Sequence, residues 1–392
     1  MNLVKHIPAI LMALSFSANA QNVEETLAAI EANNSYLNAM KSSGEADKAG
    51  FRTDITLPDP DIDFAHHWLT DENAENVKEL SLKQSFDLST ILGYRGNVAD
   101  KQGALVDWQY KQVRINTLLE AKVIALKLIH NSKLKAEIDK NLKNADLLVG
   151  MYQKKLDNGD GNIIELNKTK MALAKVSAEP KRLDIERAAL AEELKRLNGG
   201  NDINLSVSEY PSETLPDNFE EWFANVSSSV PALQYATEQT NLRKEQVRLS
   251  KMQNAPKIFA GYKTEWSNAF DKHSLLVGMN LPLWSNRKKT KHSKSELIAS
   301  EHLLADANTQ TRSSLETLYN RTKGLKLISE EFLKNMDELN NVQILDKALN
   351  AGQISLLEYI SDIEMYYDIR KQSLNAELDY RLSLAELLAA EL

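Results

Sequence analysis

The chain has 392 residues, 43% of them hydrophobic, with 47 basic and 55 acidic side chains and a formal charge of −8. That balance gives no general affinity for nucleic acid or anionic lipid, and the absence of cysteine rules out disulfides, thiolate metal sites and cysteine nucleophiles. With only 14 Gly and 9 Pro, long regular elements are expected.

Lys5 and His6 form a short positive region, Ile7 to Phe16 is apolar, and Ala18-Asn19-Ala20 supplies small residues for a leader peptidase. This order predicts a signal peptide over residues 1–20, cleaved after Ala20, because the apolar run is too short to cross a bilayer. A buried N-terminal helix is the other reading, but nothing after Ala20 continues the apolar pattern. Residue 21 is Gln rather than Cys, so the expected mature chain carries no lipid, and without Lys5 its charge is −9. No later stretch approaches ~18 uninterrupted apolar residues, so entry into a membrane would require a closed β-barrel.

A first helix is predicted over residues 22–48. Two strand-like segments follow, Pro60 to Trp68 and Glu79 to Leu88, joined by the polar stretch Leu69 to Lys78 as a hairpin. Residues 98–156 contain no Pro and predict a helix of roughly 90 Å, with Leu134, Ile138 and Leu142 on one face. It ends at Asp157-Asn158-Gly159, where Gly suits the left-handed position that closes a helix. Pro180 predicts a kink or split in the return helix. Residues 199–217, rich in Ser, Asn, Gly and Pro, read as a crossing segment packed outside the helices.

The same order then recurs. A helix over 229–254 leads to strands Pro256 to Trp266 and Leu275 to Trp284, joined by polar Ser267 to Ser274. A second helix of roughly 90 Å spans 287–350, where Leu297, Leu304, Leu318, Leu325, Phe332 and Leu339 repeat every seven residues and Thr311 is the polar exception. That spacing predicts supercoiled packing against partner helices. The turn Asn350-Ala351-Gly352 follows, then a return helix with the stripe Leu356, Ile360, Ile363, Tyr367, Leu374 and Leu378.

Leu37 and Leu233, Pro60 and Pro256, and Ile62 and Ile258 each stand 196 residues apart, while Gly159–Gly352 and Glu165–Glu358 stand 193 apart. A constant offset with one small deletion marks an internal duplication. The predicted organisation is one domain over 21–392, made of repeats 21–198 and 218–392 joined by 199–217. The fold class is mainly α with a small β part, two tandem repeats of long helical hairpins plus four strands. Four strands cannot close a barrel, so several copies would have to contribute to one. Trp68, Trp266 and Trp284 fall at strand ends, either as anchors at a membrane–water boundary or as core tryptophans under a soluble sheet.

The doubled order of helix, hairpin, long helix, glycine turn and return helix resembles the TolC-like outer-membrane efflux family over essentially the whole chain after residue 20. The residues that carry it are Gly352-Gln-Ile-Ser-Leu-Leu-Glu358, Gly159-Asp-Gly-Asn-Ile-Ile-Glu165, Gly278-Met-Asn-Leu-Pro-Leu-Trp284 and Gln84-Ser-Phe-Asp-Leu88. The resemblance implies a homotrimer with a twelve-stranded barrel in outer-membrane lipid and an α-helical tunnel across the periplasm. It implies as partners a periplasmic adaptor and an inner-membrane pump, with no cofactor. It places Glu358 at a narrowing of the pore at the periplasmic tip, just past Gly352. A second acidic position one turn on is here Ser361, with Asp362 beside it. Three carboxylates converging on an axis would repel one another and favour cations. The other reading of Glu358 is a solvated carboxylate in the first turn of a helix. For Gly159 and Glu165 the resemblance gives a more peripheral place, solvated or meeting an adaptor.

Gln84 to Arg95 also resembles the heavy-metal efflux subgroup, making metal cations a cargo class. His66-His67 is not a predicted metal site, because neighbours on a strand point to opposite faces. No hydrolase, metalloprotease, nucleotide or dinucleotide motif is present, so no catalytic residue is predicted. The competing architecture is a soluble periplasmic coiled-coil adaptor or scaffold.

Overall fold

A computed structural model describes residues 22–68, 76–205, 209–282, 284, 287–338 and 341–392. The predicted signal peptide, 1–20, lies outside the described residues. In chain order the elements are α1 (Val23–Asn33), α2 (Ser35–Phe51), β1 (Asp61–His67), β2 (Val77–Phe86), α3 (Leu88–Ile91), α4 (Tyr94–Asp157), α5 (Ile163–Ser177), α6 (Glu179–Leu197), α7 (Phe219–Val226), α8 (Pro231–Met252), β3 (Lys257–Trp266), β4 (Asp271–Asn280), α9 (Arg287–Glu338), α10 (Asn341–Asn350) and α11 (Leu356–Leu387). The chain divides into two compact units. One takes residues through Asn34, Thr117–Leu215 and Thr322–Glu386; the other takes Ser35–Asn116, Pro216–Arg321 and Leu387–Leu392.

In the first unit, α1 opens on a capping box. The Glu25 amide donates to Asn22 Oδ1 at 2.7 Å, and the Asn22 amide donates to the Glu25 carboxylate at 3.2 Å. The helix expected over 22–48 is in fact two helices, divided at Asn34. Asn34 turns extended (ψ 113°) and its side-chain amide donates to the Leu197 carbonyl at 2.7 Å, a bond that an unbroken helix would not aim there. The return helix after Gly159 also splits. The break falls at Ala178, and Pro180 occupies the first turn of α6, where no intrahelical donor is lost.

Two apolar layers hold this unit together. Leu134, Leu183 and Leu374 meet with Ile138 packed on them, and Leu148, Tyr152, Leu166, Leu356, Tyr359 and Ile363 form the layer at the helical turns. Leu374, Leu356 and Ile363 belong to the stripe expected on α11, so the 3.6-residue period identified its inward face.

The crossing segment is tied down by cations. Arg381 Nη1 donates to the carbonyls of Pro211 and Glu213, both at 3.1 Å. Lys122, almost fully buried, pairs with Glu213 at 2.6 Å, and Lys133 lies 4.5 Å from the centre of the Tyr210 ring. Tyr210 and Leu215 are themselves buried.

In the second unit, α8 meets α9 closely: Thr240 Oγ1 donates to the Ser300 carbonyl at 3.2 Å. Of the helix predicted over 287–350, the structure describes α9 up to Glu338 and α10 from Asn341, with 339–340 and hence Leu339 outside the described residues. The leucines of the seven-residue stripe on α9 are only half-buried, and the fully buried positions beside them are small hydroxyls: Ser300, and Thr322 and Ser329 in the first unit.

Two strands are shifted from expectation. β2 runs 77–86, not 79–88, because Asp87 caps α3. β4 runs 271–280 rather than 275–284, and only residues 267–270 separate it from β3. Asp271 to Ser274 are polar and read as loop, but they pair along β3, with Lys272 opposite Glu265 and His273 opposite Thr264.

Arg381→Ala removes both carbonyl contacts and leaves two partly buried acceptors unmet. Limited proteolysis should then cut between residues 199 and 217 at least about tenfold faster, following a loss of roughly 1–3 kcal/mol. Unaltered cleavage, mapped by mass spectrometry, would mean that the strap is held by its apolar residues instead.

Candidate functional site

The four strands form one antiparallel sheet in the order β1-β2-β3-β4. Because successive side chains alternate, the register sorts them onto two faces. One row carries Ile62, Leu82, Tyr262 and Leu275 side by side, and the same face holds Phe64, Leu80, Ile258, Val277 and Met279. All of these are exposed, Leu275 at 84%, Val277 at 81% and Ile62 at 69%. The opposite face is polar. Lys263 lies 2.9 Å from Glu79 and 2.8 Å from Glu265, Lys272 reaches Glu265 at 3.5 Å, and His67 stands 3.6 Å from Glu79. Further along it, Lys83 lies over the Phe259 ring at 4.6 Å. That ring covers Gly278, where a Cβ would stand 2.2 Å from it.

In water this arrangement is inverted: leucine, valine and isoleucine face solvent while the charges pair with each other. In lipid it is the stable order, apolar outward and polar inward. β2, β3 and β4 have ten residues each, the length that crosses a bilayer as a tilted strand of roughly 9–11 residues. β1 and β4 form the two edges, each with one unpaired side.

The three tryptophans bracket the sheet. Trp266 is the last residue of β3, half-buried near Phe64 (6.4 Å between rings). Trp68 directly follows β1, 76% exposed, with its ring 4.7 Å from that of His66. Trp284 stands four residues past the end of β4, 86% exposed, at the other end of the sheet. His66 and His67 point to opposite faces, and no group of three His, Asp or Glu that could hold a metal occurs among the described residues.

At the joint between β2 and α4, Asp87 is braced. It accepts from the Ser89 hydroxyl at 2.6 Å and amide at 2.9 Å, and from Arg95 at 3.0 Å. Burial raises its carboxyl, but the Ser89 bonds and the Arg95 charge outweigh burial and hold it below the ordinary range. Gln84 donates to the Pro58 carbonyl at 2.8 Å.

At the helical turns, Gly159 and Gly352 have φ of +81° and +68°. Each closes its helix with paired backbone bonds, Gly159 to Leu156 and Asp160 to Lys155, then Gly352 to Leu349 and Gln353 to Ala348. Glu358 is exposed and closes a capping box: the Ser355 amide donates to its carboxylate at 2.8 Å, and its own amide donates to Ser355 Oγ at 3.2 Å. The Ser355 amide and hydroxyl hold this carboxyl below its usual range. Asp362, one turn on, is exposed. Glu165 occupies the matching third position of α5, half-buried, and there Asn162 caps alone, accepting from the Ile164 amide at 2.9 Å. Tyr359, beside Glu358, is buried and donates to Asp346 at 2.6 Å. Burial and then that carboxylate push its phenol up, so it stays a donor.

Sequence reasoning missed the Glu79–Lys263–Glu265–Lys272 ladder and the Asp87–Arg95 brace. The first was legible in principle, since Lys257 to Trp266 alternates charged or small residues with apolar ones. The second joins residues across a helix cap that was assigned to a strand.

No protein-family model and no curated protein matches this sequence. Solved structures do. A membrane protein from Pseudomonas aeruginosa aligns with a TM-score of 0.73 at 14% identity, over 100% of this chain and 99% of that one. The outer-membrane channel OprN gives 0.74 at 12% identity over 94% and 89%. The CmeC outer-membrane channel of Campylobacter jejuni gives 0.70 at 13% identity over 100% and 93%. At these identities the likeness is one of fold: this chain has a TolC-like fold, with long helical hairpins and a few strands.

Because the folded Asp87 titrates below the unfolded ~3.9, its contribution is present above that pH and is lost as pH falls through the folded value. Asp87→Asn should lower the thermal midpoint at pH 7, the equivalent of about 1–3 kcal/mol. It should also shrink the further drop seen between about pH 5 and pH 3. Midpoints equal to wild type at both ends would show that the brace contributes nothing.

Proposed function

We propose that this chain is the protomer of a trimeric outer-membrane channel, a passive exit duct across periplasm and outer membrane for cargo delivered by an inner-membrane pump through a periplasmic adaptor. The observation that carries the reading is the sheet, exposed and apolar on one face, charged on the other, and open at both edges. Backbone groups at an open edge cannot stand in lipid. Three copies would supply twelve antiparallel strands and pair every edge, β4 of one against β1 of the next. The tryptophans at both ends then serve as interfacial anchors. The proposal includes export by the signal peptide, a mature chain without lipid, one domain made of the two repeats, and no catalysis. The cargo class supported by the resemblance of Gln84 to Arg95 is heavy-metal cations. Gly159, Glu165, Gly352, Glu358 and Asp362 belong to the periplasmic tip, with Glu358 and Asp362 facing the pore.

Outer-membrane fractionation followed by sizing of the unboiled extract in mild detergent should give a trimer. A soluble periplasmic monomer would refute the barrel and favour the adaptor or scaffold reading. The faces can be tested separately. Val277→Arg puts a charge on the apolar face, at roughly 2–4 kcal/mol if that position lies at mid-bilayer, and should abolish the trimer. Ser274→Arg, on the polar face, should leave it intact. Equal behaviour of the two would mean that neither face meets lipid.

Glu358→Gln keeps an acceptor for the Ser355 amide but removes the charge, so it separates capping from pore electrostatics. Block of single-channel current by divalent cations should weaken several-fold with the fold unchanged. Undiminished block would place Glu358 away from the pore axis.

A further inference from the structure

The start of α9 carries Arg287, Lys288, Lys289, Lys291, His292 and Lys294 within eight residues, in a chain whose net charge is −8. Helix N-termini favour acidic residues, because the unpaired amides and the macrodipole place positive potential there. The first turn of α9 has no acidic residue. Local helix energetics therefore oppose this run. Lys288, Lys289, Lys291 and Lys294 are all exposed, and none forms an ion pair among the described residues. The one carboxylate in the adjoining groove, Glu296, is already engaged by Arg243 at 3.2 Å and faces His292 at 3.6 Å.

The position of the run is fixed on two sides. Six residues separate it from the end of β4, and the exposed Trp284 lies among them. From the other side, Asn254 donates to Thr290 at 3.2 Å, and Thr290 donates to the Ser250 carbonyl at 3.2 Å. Those bonds hold the first turn of α9 beside the segment that leads into β3, where Lys251 is also exposed. The cluster thus stands at the helical end of the sheet, one tryptophan beyond its apolar face. A groove of about 480 Å³ between α8 and α9 runs alongside it.

We infer that this run is a lipid-binding collar that takes the phosphodiester headgroups of anionic phospholipids in the periplasmic leaflet. The inference rests on the membrane-barrel reading proposed above and adds a lipid class to it. Lysines next to a membrane-embedded segment gain favourable energy from an anionic lipid surface. Here that gain offsets their unfavourable position at the helix start. In a trimer the run would be presented three times around the rim. The corresponding first eight residues of the first long helix, Tyr94 to Lys101, have two cations, and both are bound to carboxylates, Arg95 to Asp87 and Lys101 to Glu238. The collar therefore belongs to the second repeat alone.

The test uses the full chain reconstituted into vesicles of equal phosphatidylglycerol and phosphatidylcholine, extracted gently, with retained lipid counted by mass spectrometry. Wild type should retain phosphatidylglycerol over phosphatidylcholine by at least about fivefold, the ratio that a single lysine at an anionic surface would give. The K288Q/K289Q/K291Q/K294Q variant should fall towards equal retention, as should wild type extracted in 0.5 M NaCl, a control that requires no mutation. Equal retention by wild type, or undiminished enrichment in the variant and in salt, overturns the collar. Loss of enrichment on adding inorganic phosphate at the same phosphate concentration would assign the site to free anions and also overturn it. Flotation with pure phosphatidylcholine vesicles separates the two readings. A chain that does not float there fails the barrel reading, whereas one that floats without lipid preference fails only the collar.

Discussion

The barrel proposed for this protein rests on the backbone hydrogen bonds of a four-stranded sheet. β2 and β3 are paired on both sides, but β1 and β4 leave one row of amides and carbonyls each without a partner in the sheet. An apolar face as exposed as that of Leu275, Val277 and Ile62 excludes water as the stable surroundings, and open edges exclude lipid for a single copy. In the proposed barrel identical sheets join edge to edge, which meets both demands. An even number of antiparallel strands per chain lets them do so without a parallel junction. The charge ladder of Glu79, Lys263, Glu265 and Lys272 fits the same arrangement, because the inner face of a closed sheet keeps contact with water.

The helices show the same incompleteness in a different form. In α9 the deepest positions are Ser300, Thr322 and Ser329, while Leu303, Leu327, Ile328 and Leu333 lie exposed. Small hydroxyls allow close approach and stay satisfied: Ser300 donates to the Leu297 carbonyl of its own helix, and the hydroxyls of Thr322 and Ser383 share a bond of 2.7 Å. The seven-residue stripe itself is half-buried, and the exposed apolar residues lie beside it. In the proposed trimer they are where neighbouring copies pack.

Much of this was legible in the sequence because period and punctuation agree. Gly159 and Gly352 end their helices in the left-handed region, Pro180 lies within the first turn of a new helix, and the α11 stripe lies inward. Legibility failed where a polar residue serves a structural partner far along the chain. Asn34 breaks a helix to reach Leu197, 163 residues away, and no local pattern reveals that acceptor. Asp271 to Ser274 look like loop because strand propensity assumes one buried face, whereas here both faces admit polar groups near the strand end. The sites were less legible than the fold. Glu358 was recognisable as the third residue of a helix, but its bond to the Ser355 amide is a matter of geometry.

The duplication proposed from the sequence accounts for which features diverge. Both turns keep the same logic, a left-handed glycine, a capping side chain and a glutamate at the third helical position, yet Ser355 and Glu358 cap each other while Asn162 caps alone. Both hairpins keep their strands, yet only the second is followed by a run of lysines. Helix closure is set by backbone geometry that any copy must satisfy, so its chemistry is confined to a few residues. The surface just beyond the sheet has no such constraint within the chain. Its composition answers to whatever surrounds it, which is why an acidic protein can concentrate positive charge at Lys288 to Lys294 against the preference of the helix that carries it.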